Sequence, residues 1–142
     1  MKSVLCVCIG NGDRSPAMAA VLQLFLERFG NRVECESAGI GESAHQGHAS
    51  RFAIDAAKRI GIHLSEHSRR HISSLDLGDY DLIVCASDEI AAKVIEAGAS
   101  IDRVYTTPIL NPWPCHFQED YDETFKHILP AMYRVVTRYF SN

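Results

Sequence analysis

The order of apolar segments predicts an α/β protein: a three-layer helix–sheet–helix sandwich around a four-stranded parallel sheet of order 2-1-3-4. Three observations carry this. "SVLCVCI" (3–9) and "YDLIVCA" (80–86) are short, nearly continuous apolar runs, the pattern of strands covered on both faces. Helix-patterned segments alternate with strand-like ones, giving βαβαβαβα. The connections are long enough to require parallel pairing, which right-handed crossovers wind into covering helices.

Each element has its own signature. After the first strand, Ala17, Val21, Phe25 and Phe29 recur every four residues beside Met18, Leu22 and Leu26. This predicts an amphipathic helix from Pro16 to Phe29, with Pro16 suited to the first turn and Gly30-Asn31 ending it. "RVECES" (32–37) alternates apolar and charged residues and reads as the second strand. A loop from Ala38 to His48 follows, then a helix from about Ala49 to Ile60, closed by Gly61. After the third strand, Ser87 is placed to cap a helix that runs to Gly98. "DRVYTT" (102–107) is the last strand, and a helix from about Asp122 to Phe140 ends the pattern. Pro130 inside it predicts a kink or a late start.

The 142 residues fit one domain, spanning 1–142, with enough chain for a real core. A formal net charge of -4 and the lack of any basic run longer than Arg69-Arg70 argue against nucleic acid as a partner. The apolar run at 4–9 is too short for a secretory core or a membrane span, so a cytoplasmic protein without a membrane partner is expected. Five cysteines, at 6, 8, 35, 85 and 115, are odd in number and lack framework spacing. They suggest a reducing compartment, with neither a disulfide scaffold nor a zinc site. His63, His67 and His71 fall four apart, but without a further ligand on a rigid scaffold they read as solvent-facing or capping residues; no metal and no cofactor is expected.

The chemistry concentrates in "VCIGNGDRSPA" (7–17), at the carboxyl end of the first strand, where open parallel sheets bind ligands. The backbone N–H groups of a tight turn through Ile9, Gly10, Asn11, Gly12 and Asp13 can converge on an anion, and the following helix adds its N-terminal dipole. Gly10 and Gly12 tolerate positive φ, and Asn11 does so better than most residues. The same donors and Arg14 stabilise a thiolate at Cys8. Arg14 can also hold a tetrahedral oxyanion through two parallel hydrogen bonds. Ser15, as a helix N-cap, can donate its hydroxyl to the sulfur.

"VCIGNGDRSP", together with "SAG" at 37–39, "GIHLSEH" at 61–67, "DYDLIVCAS" at 79–87 and "NPW" at 111–113, resembles the low-molecular-weight protein tyrosine phosphatases nearly end to end. The resemblance implies Cys8 as nucleophile, forming a phosphocysteine that water hydrolyses. It implies Arg14 as the phosphate and transition-state clamp, and Ser15 as the group that eases departure of the thiolate. Asn11 becomes a strained loop residue held by hydroxyls, among which Ser37 is expected. The partners implied are a phosphotyrosine-containing protein or a small aryl phosphate, with phosphate and other oxyanions as inhibitors.

The sequence departs from the family pattern in three places. Position 13, cysteine in many members, is Asp13, so oxidised Cys8 lacks a neighbouring thiol to rescue it. A carboxylate facing a bound phosphate at ~5 Å, at an effective dielectric near 20, gives about 3 kcal/mol of repulsion per unit charge. Asp13 is therefore expected to turn toward a donor outside the pocket, or to be protonated when ligand binds. The family's leaving-group acid, an aspartate before Pro-aromatic, is Asn111 here, which has the shape but no acidic proton. Loss of a general acid costs about 10²–10⁴-fold, most for poor leaving groups. Glu119, Asp120, Asp122 and a protonated Asp13 are the candidate substitutes. The rim is expected at Ile40, His45 and Trp113, with no aromatic residue in 40–48.

These residues predict a phosphomonoester hydrolase of phosphotyrosine type, weakened at the acid position. The alternative is a phosphate- or phosphoprotein-binding module that has lost turnover. Arsenate reduction on the same loop would need two further cysteines seven apart, but seven beyond Cys85 lies Ala92, and the next cysteine is Cys115.

Overall fold

The computed structural model describes residues 1–112 and 117–141. Four strands, β1 (Ser3–Cys8), β2 (Glu34–Gly39), β3 (Leu82–Cys85) and β4 (Val104–Thr106), form a parallel sheet of order β2-β1-β3-β4, as predicted. Four helices connect and follow them: α1 (Arg14–Arg28), α2 (Arg51–Arg59), α3 (Asp88–Glu96) and α4 (Gln118–Tyr139). β1 and β3 are the central strands, and Val4 to Cys8 and Leu82 to Cys85 are all buried, which is why their sequences do not alternate. Helix α1 packs on α4, α2 packs on α4, and α3 packs on β3 and β4. Leu22, Phe125, Ile128 and Met132 lie in the shared core. Among the described residues, no helix is long and apolar enough to cross a membrane.

Register brings the strand ends into line. Cys8 pairs with Gly39, Val7 with Cys85, and Cys85 with Thr106. A ligand beyond this edge meets the β1–α1 connection first. Short bridges from Gly39 to His71 and from His48 to Ser68 bring the 68–71 segment to the same edge.

Several boundaries differ from the sequence expectation. Helix α1 begins at Arg14, with Asp13 in the cap position making no side-chain capping bond, so Ser15 is not the N-cap but a first-turn residue. The strand expected over 32–37 is shifted to Glu34–Gly39, because Cys8 and the 68–71 segment supply backbone partners as far as Gly39. Gly30 (φ 78°) ends α1 as expected, with Asn31 N–H donating to the Leu26 carbonyl at 2.8 Å.

Helix α4 starts at Gln118, four residues before the expected Asp122, and runs on through Pro130. Its start is fixed by Gln118, whose amide donates to the Phe52 carbonyl at 2.9 Å and to Asp122 at 3.0 Å. Buried Ile128, Ala131 and Met132 hold the helix on either side of the proline, and this packing outweighs the lost backbone bond. Pro130 is itself exposed. Pro130→Ala should therefore raise unfolding stability by about 1–3 kcal/mol, read as a higher urea midpoint with an unchanged slope. A lower midpoint would mean that the pyrrolidine ring makes a contact alanine cannot replace.

Candidate active site

The turn between β1 and α1 folds as a cradle because one residue holds a backbone conformation that L-residues avoid. Asn11 has φ 54° and is, among the described residues, the only non-glycine with positive φ. It is fully buried, and its polar groups are used. Its Nδ2 donates to the Ser15 hydroxyl at 2.8 Å and the Ser37 hydroxyl at 2.9 Å. Its Oδ1 accepts from the Arg70 backbone N–H at 2.8 Å. Its carbonyl lies 2.7 Å from His67 Nε2, which must carry the proton, since a carbonyl can only accept. The expected partner Ser37 is in place. Arg70 and His67 are supports that sequence reading missed, and His67 is half-buried instead of solvent-facing. Burial, ahead of the neighbouring arginines, holds the His67 imidazole below its ordinary range.

Gly39 supports the cradle from behind. A Cβ there would collide with the Ile9 carbonyl oxygen and lie 2.7 Å from Ala44 Cβ and 3.0 Å from the Asn11 nitrogen. "SAG" is thus a contact surface for the turn, with Ser37 holding Asn11 and Gly39 leaving it room.

Cys8, at the end of β1, is buried but lines a cavity of about 360 Å³ with Ile9, Gly10, Gly12, Asp13, Arg14, Ser43, Arg69 and Asn111. The Ser15 hydroxyl is 2.9 Å from its sulfur and 3.2 Å from the Ala38 carbonyl. Having already accepted from Asn11, this hydroxyl has one proton to give, to the carbonyl or to a thiolate. Arg14 is only 4% exposed, and its Nη1 donates to the Ile109 carbonyl at 2.9 Å. That bond uses one of five guanidinium donors and ties the cradle to the strand-exit segment that carries Asn111. The other described cysteines lie elsewhere: burial pushes the Cys35 and Cys85 thiols up to about 12, and the Cys6 thiol up as well.

Asp13 turns toward α2. Its carboxylate accepts from the Ser50 hydroxyl, which in turn accepts from the Ala53 N–H at 3.1 Å as the N-cap of α2. The Ser50 N–H donates to the Gly12 carbonyl at 3.1 Å. One serine therefore ties two successive cradle residues to a helix start, where carboxylates are favoured. Burial nevertheless raises the Asp13 carboxyl above its ordinary range, with Ser50, Arg69 and Arg14 acting in the opposite direction.

The rim differs in part from the expectation. Ile40 is half-buried against the core, donating its N–H to the Cys8 carbonyl at 3.1 Å. His45 stacks on His71, ring centroids 4.1 Å apart, and His71 caps a short turn at Ile72–Ser74. Trp113 lies outside the described residues, as does Cys115. Ser43 and Arg69 line the cavity instead, and neither carried a motif in the sequence. Asn111 lines both this cavity and a neighbouring one of about 400 Å³ that also takes in Asp120. Asp122 is engaged by Arg59 at 3.2 Å and by Gln118, and Glu119 is exposed at the start of α4. None of these three acids lines the Cys8 cavity.

Residues 3–125 match a family model described as low molecular weight phosphotyrosine protein phosphatase. The chain is 37% identical over 83 residues to the low molecular weight protein-tyrosine-phosphatase Wzb of Escherichia coli K12, a stretch covering 58% of this chain and 53% of that protein. The match thus spans about half the length of that curated relative. Among solved structures, a low molecular weight protein tyrosine phosphatase from T. tengcongensis superposes with a TM-score of 0.86 at 21% identity, covering 97% of this chain and 99% of that one. Wzb from Vibrio vulnificus, in complex with benzylphosphonate, gives 0.84 at 23% identity, covering 96% and 98%. These likenesses establish the fold.

Asp13 sets a pH-dependent test of the cradle's electrostatics. Asp13→Asn keeps an acceptor for Ser50 and removes the charge. At pH 7.5 the variant should bind inorganic phosphate about fivefold or more tightly than the native chain in calorimetric titration. Because burial holds the Asp13 carboxyl above its ordinary range, it neutralises earlier than an exposed carboxylate as pH falls, and the two affinities should converge on acidification. Equal affinities at pH 7.5 would mean that the carboxylate charge, turned to Ser50, is not felt by an anion in the cradle.

Proposed function

This chain belongs to the low-molecular-weight phosphotyrosine protein phosphatase family, and we propose that it is a phosphomonoester hydrolase acting through a phosphocysteine on Cys8. One observation carries the proposal: the sulfur of Cys8 lines a cavity shared with Arg14 and has the Ser15 hydroxyl at 2.9 Å, a partner suited to a thiolate in a way a simple anion-binding loop does not require. The benzylphosphonate complex of Vibrio vulnificus Wzb supports an aryl phosphate as the ligand class.

In this mechanism the Cys8 thiolate attacks phosphorus, and the ester oxygen leaves with the bonding pair. The cradle N–H groups and Arg14 hold the equatorial oxygens, whose charge they match best in the transition state. Water then attacks the phosphocysteine, releasing inorganic phosphate and returning the electron pair to sulfur. Ser15 donates to that sulfur as it departs, giving up its bond to the Ala38 carbonyl. Asn111 has no acidic proton to transfer to the leaving oxygen, so water supplies it. Good leaving groups are therefore favoured over phosphotyrosine. Phosphate, as product, inhibits by occupying the same cradle.

The carboxamide at Asn111 also favours a second reading, a phosphoprotein-binding module that retains the cradle without turnover. Hydrolysis of para-nitrophenyl phosphate and phosphotyrosine by the native chain, Asn111→Asp and Cys8→Ser decides between them. The hydrolase reading expects slow native turnover of the first ester and about 10²-fold or greater recovery on phosphotyrosine with Asn111→Asp. It also expects no turnover by Cys8→Ser, with vanadate binding retained. Phosphate binding without turnover in both the native chain and Asn111→Asp would replace it with the binding module.

A further inference from the structure

Arg69 is a charged side chain of the cavity wall that this mechanism does not use. It is half-buried, and its guanidinium is held in place by backbone carbonyls alone. Nε donates to the His48 carbonyl at 2.7 Å, and Nη1 to the Gly10 and Ser43 carbonyls, each at 3.3 Å. The plane lies against Gly12, where a Cβ would come within 2.6 Å of Cζ and closer still to Nη2. Among the described residues Nη2 makes no hydrogen bond and no carboxylate pairs with Arg69. Asp13, the one acid among the described residues lining the cavity, is bound to Ser50.

A guanidinium fixed by neutral acceptors keeps its full charge for an incoming anion and loses little freedom on binding it. Depth separates the cavity's two guanidinium groups. Arg14 is almost fully buried at the cradle, whereas Arg69 is half-exposed and bonded to rim residues. A phosphoryl group seated on Arg14 and the cradle N–H groups leaves Arg69 facing what projects from the cavity, the leaving group.

The geometry points to Arg69 as a specificity-determining residue that selects phosphoesters whose leaving group carries a second negative charge. This rests on the hydrolase reading above and narrows its substrate class. A carboxylate on an aryl ring and an acidic residue beside a phosphorylated side chain present the same chemistry to it. Such a pairing strengthens ground-state and transition-state binding alike, so it acts mainly through KM.

The test compares 4-carboxyphenyl phosphate with its carboxamide analogue, and phosphotyrosine peptides flanked by glutamate with those flanked by glutamine. The variants are Arg69→Gln and Arg69→Lys. Taking the ratio of kcat/KM within each pair, and then between proteins, cancels leaving-group reactivity and any general loss of fit. The native ratio should exceed that of Arg69→Gln by about fivefold. The difference should appear in KM, shrink at 0.5 M salt, and be largely restored by Arg69→Lys. A response by the small esters alone places the second charge on the leaving ring; a response by the peptides too extends it to flanking residues.

Equal ratios in all three proteins for both pairs would overturn the assignment and leave Arg69 as a brace for the turn. If the native chain releases no phosphate from any of these esters or from para-nitrophenyl phosphate, the hydrolase reading falls separately. The same ratios are then read from dissociation constants, where equality again overturns the role of Arg69.

Discussion

Asn11 holds a left-handed backbone at the point where β1 must turn into α1, and the surrounding architecture converges on that turn. An asparagine in this region has an intrinsic cost of order 1–3 kcal/mol, sustained only when neighbours over-determine it. Here they do. Ser15 comes from α1, Ser37 from β2, and Arg70 and His67 from the segment beside Gly39. Three separate stretches of chain thus agree on one dihedral angle. Arg70 is in turn held by Glu36 at 2.9 Å and by the Ser37 carbonyl, and its own carbonyl accepts from the Gly39 N–H.

The same organisation explains what could be read from sequence. Apolar runs at 3–9 and 80–86 encode central strands because burial on both faces is a local demand on composition. Cys8, Arg14 and the glycine–asparagine turn were legible because their roles need particular residue types at fixed spacing. That Asp13 turns to a donor outside the pocket was expected, but the donor was not legible: Ser50 is 37 residues away, and only the fold brings it to the cradle. His67 failed for a similar reason, since a histidine in a polar stretch looks solvent-facing until the 68–71 segment is seen to pair beside Gly39. In α4, local propensity at Pro130 was outweighed by a buried face whose partners lie on other elements. Arg69 stood out only as half of a charged pair.

Charge around the cavity is distributed by depth. The innermost cation, Arg14, is bound to the Ile109 carbonyl, two residues before Asn111, so the guanidinium proposed to hold the oxyanion is also tied to the segment that leads to Asn111. The acid closest to the cradle is drawn toward a helix N-terminus, and a second cation, Arg69, sits at the mouth with no carboxylate in ion-pair contact among the described residues, acting on Asp13 only through space. An anion entering from solvent therefore meets two guanidinium groups at different depths, despite the net charge of -4.

The residue after Asn111 bears on the protein's long-term chemistry. Asparagine side chains age by attack of the next residue's backbone nitrogen on the carboxamide, through a cyclic imide that opens partly to aspartate. Pro112 has no N–H to deprotonate for that attack. The carboxamide is thereby protected from spontaneous conversion to a carboxylic acid, and a stored or slowly turned-over population does not drift toward the acid-bearing form. At the genetic level the barrier is low, because asparagine and aspartate codons differ by one base. A lineage can cross in a single step a boundary that an individual molecule cannot cross by ageing.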